Sequence, residues 1–186
     1  MQPLIHATDR NSLLTHFPDE PEVWVVDVRQ QRIHRWRADR GWDTAPVSTS
    51  RAGLGSRPDS HCTPLGAHRV CEVIGVGAPL GQPFISRKPT DTPLSTWTGG
   101  EGDRILSRIL RLDGLVPGLN HTSRDRYIYI HGTHQEEKLG TPASRGCIRM
   151  GNQQLAEWTD ALGKIRPLVW IGTLESIPGQ SETEEK

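Results

Sequence analysis

The 186-residue chain has few cysteines, no excess of either charge and no long hydrophobic run. Its three cysteines are an odd and sparse set, which excludes the disulfide framework of a small secreted scaffold. Lys+Arg and Asp+Glu number 22 each, so no global electric field recruits nucleic acid or an anionic membrane. No segment approaches the roughly 18 apolar residues of a membrane helix. We therefore expect neither a nucleic-acid partner nor a membrane span.

A secretory signal is also missing from the first twenty residues, MQPLIHATDRNSLLTHFPDE. Such a signal needs an apolar run of about 7 to 15 residues before a small-residue cleavage site. The sequence therefore predicts a cytoplasmic protein, or a periplasmic one if a leader has been removed.

Nineteen glycines and fourteen prolines lie mostly between short apolar or alternating segments. This arrangement is typical of many short strands linked by turns, so we expect a mainly β fold with a few short helices. The predicted strands are 23–28, 32–37, 45–50, 68–74, 83–87, 105–112, 126–130 and 168–171.

Two helices are predicted, a short amphipathic one over 9–17 and a firmer one over 153–162 with Asn152 as its N-cap. The chain then divides into an N-terminal helical extension (1–21), one main domain (22–172) and a polar, acidic tail (173–186).

The segment HGTHQEEKLGTPASRGCIRM carries the strongest chemical signal, because His131 and Cys147 lie sixteen positions apart within it. A cysteine attacks an acyl carbon as the thiolate, and a free thiol with a pKa of about 8.5 is mostly protonated at neutral pH. A neighbouring imidazole that accepts the proton solves this problem. The strand predicted over 126–130 would deliver His131 at its end, and the polar loop after it can return the thiol to the ring.

The residues around the cysteine fit this interpretation. Gly146 has no Cβ, so the backbone can turn tightly and direct the amides of Gly146 and Cys147 at a developing oxyanion. Arg145 and Arg149 add positive charge that favours a thiolate and attracts a carboxylate-bearing substrate.

The motif set resembles the signature of the L,D-transpeptidase (YkuD) catalytic domain family, in which HGT is followed by a Leu-Gly step and by Ser-His-Gly-Cys with Ile-Arg and an apolar residue. Arg145 replaces the histidine of the second block. The resemblance covers about residues 22–172 and implies a β-sandwich of mixed sheets. The matching segments are 25–36, 63–70, 113–118, 131–133, 139–140 and 144–150.

The resemblance also implies roles. Cys147 matches the nucleophile, His131 the general base, and Gly132 the residue whose backbone carbonyl orients the imidazole. The amides near Arg145 and Gly146 match the oxyanion hole. The substrate would be a peptidoglycan stem tetrapeptide or muropeptide, and a β-lactam of the carbapenem class would acylate the thiol.

Arg145 bears on the reaction, because it is longer than histidine, permanently charged and able to bind a carboxylate through two donors. Together with the missing signal, it predicts an L,D-carboxypeptidase that removes the terminal D-alanine in cell-wall recycling. An L,D-transpeptidase that forms 3-3 cross-links and an inactive peptide-binding module are the alternatives. The third stem residue, diaminopimelate or lysine, and the oligomeric state stay open.

The remaining substrate-binding candidates are Ser144, Arg149 and His134, and anchoring of the loop is the other interpretation of Arg149. A metal site built on His131 with His134, or on His68 with Cys71, lacks a completing CxxC or HExxH pattern, so no metal and no cofactor are expected. Cys62 and Cys71 are predicted to be inert.

Overall fold

A computed structural model describes residues 17–91 and 104–173, and strands are the main regular secondary structure in these ranges. One α-helix, α1, spans Asn152–Asp160, and a short 3-10 helix spans Glu136–Lys138. The strands are β1 (Glu22–Asp27), β2 (Arg32–Arg37), β3 (Gly41–Ser48), β4 (Gly66–Ile74), β5 (Pro83–Ile85), β6 (Lys88–Pro89), β7 (Ile105–Gly114), β8 (Tyr129–Gly132), β9 (Ile148–Met150) and β10 (Leu168–Gly172).

The ten strands form one sheet in the order β4-β10-β1-β2-β3-β9-β8-β7-β5-β6, and β4 also pairs with β7. That extra pairing closes eight strands on themselves, so the sheet has an inner and an outer face. Most neighbours are antiparallel, whereas β1 with β10 and β8 with β9 are parallel. The predicted mainly β, mixed-sheet fold is confirmed.

The inner face holds the main core, because alternate residues of each strand point inward. Ile130 of β8 and Ile148 of β9 are fully buried in it. The helix α1 contributes Trp158, whose ring meets Trp24 edge-on at a centroid distance of 5.3 Å. Burial of each such side chain stabilises the fold by about 1.5–3 kcal/mol, so the register of β8 and β9 is firmly set.

The strand predictions hold for β1 and β2 to within one residue. The predicted strand over 126–130 was wrong at its start, since β8 begins at Tyr129. Tyr127 has a left-handed φ of 56°, and a residue with that backbone cannot be part of an extended strand. The three-residue strand β9 was not predicted.

The helix after the site begins one residue earlier than predicted, and its N-cap is Gly151. The prediction of Asn152 as the cap was therefore wrong, because its side chain binds groups outside the helix. The other predicted helix, 9–17, lies outside the described residues apart from Phe17. In the described ranges, no helix has the length and apolarity needed to cross a membrane.

Candidate active site

The parallel pair β8 and β9 brings the two ends of the HGT to SRGC segment side by side. His131 pairs with Arg149 and Ile130 with Ile148. Continuing this register by one residue places Cys147 beside Tyr129. Because side chains alternate between faces and the two isoleucines point inward, His131 and Cys147 share the outer face.

The imidazole of His131 is held in one orientation by the next residue. The ring is fully buried, and Nδ1 lies 2.8 Å from the carbonyl oxygen of Gly132. A carbonyl oxygen only accepts hydrogen bonds, so Nδ1 carries the hydrogen and the lone pair of the neutral ring is on Nε2. This is the tautomer that a general base needs.

Gly132 has a steric reason to be glycine. A Cβ there would meet the carbonyl oxygen of Leu106 at 2.6 Å and would also contact Oδ1 of Asn152. A larger residue would displace the backbone that carries the carbonyl to His131.

The sulfur of Cys147 is half-buried on the outer face. The side chain packs against a small apolar cluster that includes Phe84, Ile109 and Tyr129. The thiol donates a hydrogen bond to the carbonyl oxygen of Tyr127, with Sγ and O 3.4 Å apart. One side of the sulfur is therefore fixed by the protein, while part of its surface faces solvent.

The turn before the cysteine is fixed by Ser144, which is fully buried. Its Oγ accepts from the amide of Gly146 at 3.2 Å and donates to the carbonyl of Cys147 at 2.6 Å. Gly146 has φ of 119°, which favours glycine, and its carbonyl accepts from Thr63 Oγ1 at 2.9 Å. Ser144 thus shapes the loop, and the Gly146 amide would have to exchange its hydroxyl partner before it could bind an oxyanion.

Arg145 is exposed and lines a cavity of about 390 Å³ beside this turn. Arg126 and Tyr127 line the same cavity, and Asp59 and Asp125 contribute negative charge. Burial lowers the pKa of Arg126, and the nearby thiols of Cys62 and Cys147 act in the opposite direction. Arginine stays charged in proteins, so the cavity beside this turn is lined by two guanidinium groups as well as by two aspartates.

Arg149 occupies a different environment. It is 3% exposed, and its Nη1 donates to Oε1 of Gln135 at 3.0 Å. This contact supports the interpretation of Arg149 as an anchor of the loop after β8. His134 lies half-buried in the same loop.

Asn152 was not recognised as part of the site. Its Nδ2 donates to the carbonyl of Thr133 at 2.7 Å, and its Oδ1 accepts from Ser107 Oγ at 2.7 Å. Ser107 lies at an irregularity of β7 and has φ of 63°. Asn152 therefore ties α1, β7 and the HGT segment together, and its position five residues after Cys147 was the available sequence signal.

His68 and Cys71, the other pair considered as metal ligands, lie in different environments. His68 is fully buried, with Nδ1 2.9 Å from Gly66 O and Nε2 2.9 Å from Ser123 Oγ, whereas Cys71 is exposed and donates to Arg111 O at 3.4 Å. Within residues 17–91 and 104–173, no group of three metal-ligating side chains occurs. The Cys62 thiol donates to Ala52 O at 3.2 Å.

One known protein family matches the chain over most of its length. A family model described as YkuD, the L,D-transpeptidase catalytic domain, matches residues 21–169. The chain belongs to this family. The YkuD match confirms the resemblance inferred from the HGT and SRGC motifs. Among curated proteins, none matches the chain.

Solved L,D-transpeptidases share the YkuD fold with this chain. An L,D-transpeptidase from Mycobacterium smegmatis is 16% identical, with a TM-score of 0.51 over 81% of this chain and 58% of that one. L,D-transpeptidase 3 from Mycobacterium tuberculosis is 19% identical, with a TM-score of 0.50 over 81% and 60%. This chain thus spans about three fifths of the length of the solved enzymes. At these identities the likeness is one of fold.

Proposed function

We propose that this protein is a cysteine-dependent L,D-carboxypeptidase that removes the terminal D-alanine from peptidoglycan tetrapeptides or muropeptides. The observation that carries the proposal is the shared outer face of Cys147 and His131, with the ring held by Gly132 in the tautomer of a base. Membership of the YkuD family supports a peptidoglycan substrate.

The reaction begins when Nε2 of His131 takes the proton of Cys147. The thiolate attacks the carbonyl of the L-centre at stem position three, and a sulfur–carbon bond forms as the carbonyl oxygen becomes an oxyanion. The intermediate collapses with cleavage of the carbon–nitrogen bond, and D-alanine leaves with the proton from His131. A water molecule, deprotonated by the same ring, then hydrolyses the thioester and releases the tripeptide.

Arg145 supports hydrolysis over cross-linking. It is exposed at the turn that carries the nucleophile and lines a cavity that also holds Arg126, Asp59 and Asp125. A guanidinium group binds a carboxylate through two parallel donors, which suits the free terminal carboxylate of D-alanine. We expect the long, charged side chain at this turn to narrow the space open to an acceptor peptide.

An L,D-transpeptidase is the second candidate, because the family takes its name from that reaction. In that case the amine of a second stem peptide, in place of water, resolves the same thioester. The nucleophile and base keep their roles, so only the acceptor distinguishes the two activities.

Product analysis separates the candidates. The protein is incubated with a disaccharide tetrapeptide, with and without an amine acceptor, and the products are followed by mass spectrometry. We expect tripeptide and free D-alanine under both conditions. A predominantly cross-linked dimer would establish the transpeptidase instead, and an absence of both products would contradict either enzyme.

An inactive peptide-binding module is tested with a carbapenem, whose strained ring amide acylates an activated thiol. We expect intact-protein mass to show one adduct on the native chain and on Cys62→Ala and Cys71→Ala, and none on Cys147→Ala. No adduct on the native chain would favour the module.

A cytoplasmic location, with a role in recycling released muropeptides, is part of the proposal. Fractionation of the native host with an antibody against the protein tests it. Recovery from the periplasmic fraction would contradict this part of the proposal and leave the chemistry untouched.

A further inference from the structure

Thr63 opens the TPLGAHRV segment, which has no part in the proposed reaction, yet its side chain reaches the turn that carries the nucleophile. It is fully buried, and its Oγ1 lies 2.9 Å from the carbonyl oxygen of Gly146, 83 residues away in the sequence. The amide of Ser50 donates to the same Oγ1 at 3.0 Å. Because an amide only donates and a carbonyl oxygen only accepts, the hydroxyl hydrogen of Thr63 points to Gly146.

The backbone of Thr63 is held on both sides by its own segment. Its amide donates to the carbonyl of Gly53 at 3.0 Å, and its carbonyl accepts from the amide of Gly55 at 2.9 Å, around an isolated bridge with Leu54. Pro64 follows, and a residue before proline is restricted to extended backbone. Thr63 is thus anchored independently of its hydrogen bond to the turn.

The bond to Thr63 fixes the peptide unit between Gly146 and Cys147. This unit is planar and trans, so its carbonyl and its N–H point in opposite directions, and a carbonyl held by Thr63 also sets the direction of the Cys147 amide. Gly146 has no Cβ to limit rotation of the unit. A Cβ there would lie 3.4 Å from the carbonyl oxygens of His61 and Cys62, so the turn packs directly on the segment that leads to Thr63.

The amide of Cys147 is the donor that the turn offers to an oxyanion. The other amide predicted for this role, that of Gly146, already donates to Ser144 Oγ at 3.2 Å. Attack by the thiolate places negative charge on the oxygen of the acyl group, and an oxyanion hole stabilises this charge through donors that are oriented in advance. The orientation of the Cys147 amide therefore bears directly on the rate of attack.

From these contacts we propose that Thr63 is a positioning residue, which holds the Cys147 amide in the orientation that binds the oxyanion of each tetrahedral intermediate. The inference rests on the proposed function, because the oxyanion forms when the thiolate attacks the acyl carbon. Thr63 acts through a peptide unit and has no part in the proton transfer to His131. We therefore expect its loss to slow attack on a carbonyl and to spare reactions of the same thiolate that form no oxyanion.

Two variants separate the Thr63 hydroxyl from the packing of its side chain. Thr63→Val removes the hydroxyl and keeps the branched shape, whereas Thr63→Ser keeps the hydroxyl. In Thr63→Val we expect kcat for D-alanine release to fall about ten- to a hundredfold with KM within about twofold, because the oxyanion is bound only in the transition state. In Thr63→Ser we expect kcat within about threefold of the native value, since the hydrogen bond is retained.

Ser50→Ala is the matched control. Its hydroxyl is buried in the same segment and donates to the carbonyl of His61 at 2.5 Å, but it makes no bond to the cysteine turn. We expect Ser50→Ala to lower stability and to keep kcat. Circular dichroism confirms folding of each variant, and Thr63→Ala takes the place of Thr63→Val if the valine variant does not fold.

Two reagents distinguish an effect on the oxyanion from an effect on the thiolate. A carbapenem is attacked at a carbonyl, whereas in iodoacetamide the thiolate displaces iodide from a saturated carbon and no oxyanion forms. Cys62→Ala with Cys71→Ala leaves Cys147 as the single thiol of the background. In this background we expect Thr63→Val to slow acylation by the carbapenem about tenfold or more and to leave the alkylation rate within about twofold, at every pH of a profile.

Three results would overturn the positioning role while the proposed function stands: an unchanged kcat in Thr63→Val, equal slowing with both reagents, or an equal loss of kcat in Ser50→Ala or Thr63→Ser. If the native protein neither releases D-alanine nor is acylated, the proposed function fails. Crystals of Thr63→Val then decide the inference, because a rotated peptide unit between Gly146 and Cys147 supports it and an unchanged one refutes it.

Discussion

Two buried histidines of the same sheet, His68 and His131, show how similar local structures take different roles. Each ring is fully buried, and each Nδ1 lies within 2.9 Å of a glycine carbonyl, that of Gly66 or that of Gly132. Both rings are therefore held in the same tautomer. The Nε2 of His68 meets the hydroxyl of Ser123, which fixes it to the scaffold, whereas His131 lies on the face that carries Cys147.

Burial and orientation alone therefore do not make a histidine a base. His68 is a structural group whose pKa is lowered by burial to about 4, so it is neutral at physiological pH. His131 differs because its strand pairs with β9, which begins directly after Cys147.

Replacement of His131 gives the largest effect. In His131→Gln we expect kcat for D-alanine release to fall by about 10²- to 10⁴-fold, because the general base is lost. His68→Gln is the matched control and keeps kcat within a few-fold, although it lowers stability. Steady-state kinetics on both variants, with circular dichroism to confirm folding, makes the comparison. Equal losses of kcat would remove the distinction between the two rings.

His68 makes stability depend on acid pH. Its pKa is 6.5 in the unfolded chain and about 4 in the fold, so the unfolded state binds the proton first as pH falls. The stabilisation is fully present above pH 6.5 and is lost as pH falls towards 4, a change on the order of 3 kcal/mol.

Urea titrations at pH 7, 5.5 and 4.5 measure this change in the free energy of unfolding. We expect a shallower dependence on pH in His68→Gln than in the native protein. Burial also lowers the pKa of His34, which both proteins retain, so the difference between their slopes isolates His68. Identical slopes would show that the fold does not lower the pKa of His68.

The two glycines that hold the rings offer a finer comparison. Gly132→Ala places a Cβ against Leu106 O, which displaces the carbonyl that orients His131, and we expect kcat to fall by about 10²-fold. In Gly66→Ala the alanine must adopt a left-handed φ of 90°, and we expect a loss of about 1–2 kcal/mol in the free energy of unfolding. The folded fraction keeps its kcat. Loss of kcat in both variants would mean that the two carbonyls are not functionally distinct.

Removal of the second partner of His68 has the smallest effect. In Ser123→Ala the buried Nε2 loses its hydroxyl donor, and we expect about 1 kcal/mol of destabilisation with unchanged kinetics. Urea unfolding at pH 7 measures the difference. A fall in kcat would place the His68 network in the catalytic machinery.

Local patterns predicted part of the fold and the site. The bounds of β1 and β2 were predicted to within one residue from the apolar run of β1 and from the segment that follows it. This is possible because strand propensity and burial depend on a few neighbouring residues. The role of Asn152 was missed because it depends on residues distant in sequence. Its partners Ser107 and Thr133 lie 45 and 19 residues away. The late start of β8 depends on the left-handed backbone of Tyr127, which no propensity indicates.

Residue identity and spacing within one segment were enough to predict the family, the nucleophile and base candidates and the glycines around them. Three features became visible only in the folded chain. β8 and β9 pair in parallel, Ser144 and Arg149 bond to neighbouring residues of their loops, and Arg87 contacts Tyr127 and Tyr129. Register and long-range hydrogen bonds depend on how the whole sheet closes, through β4 and β7, and closure is a property of all the strands together.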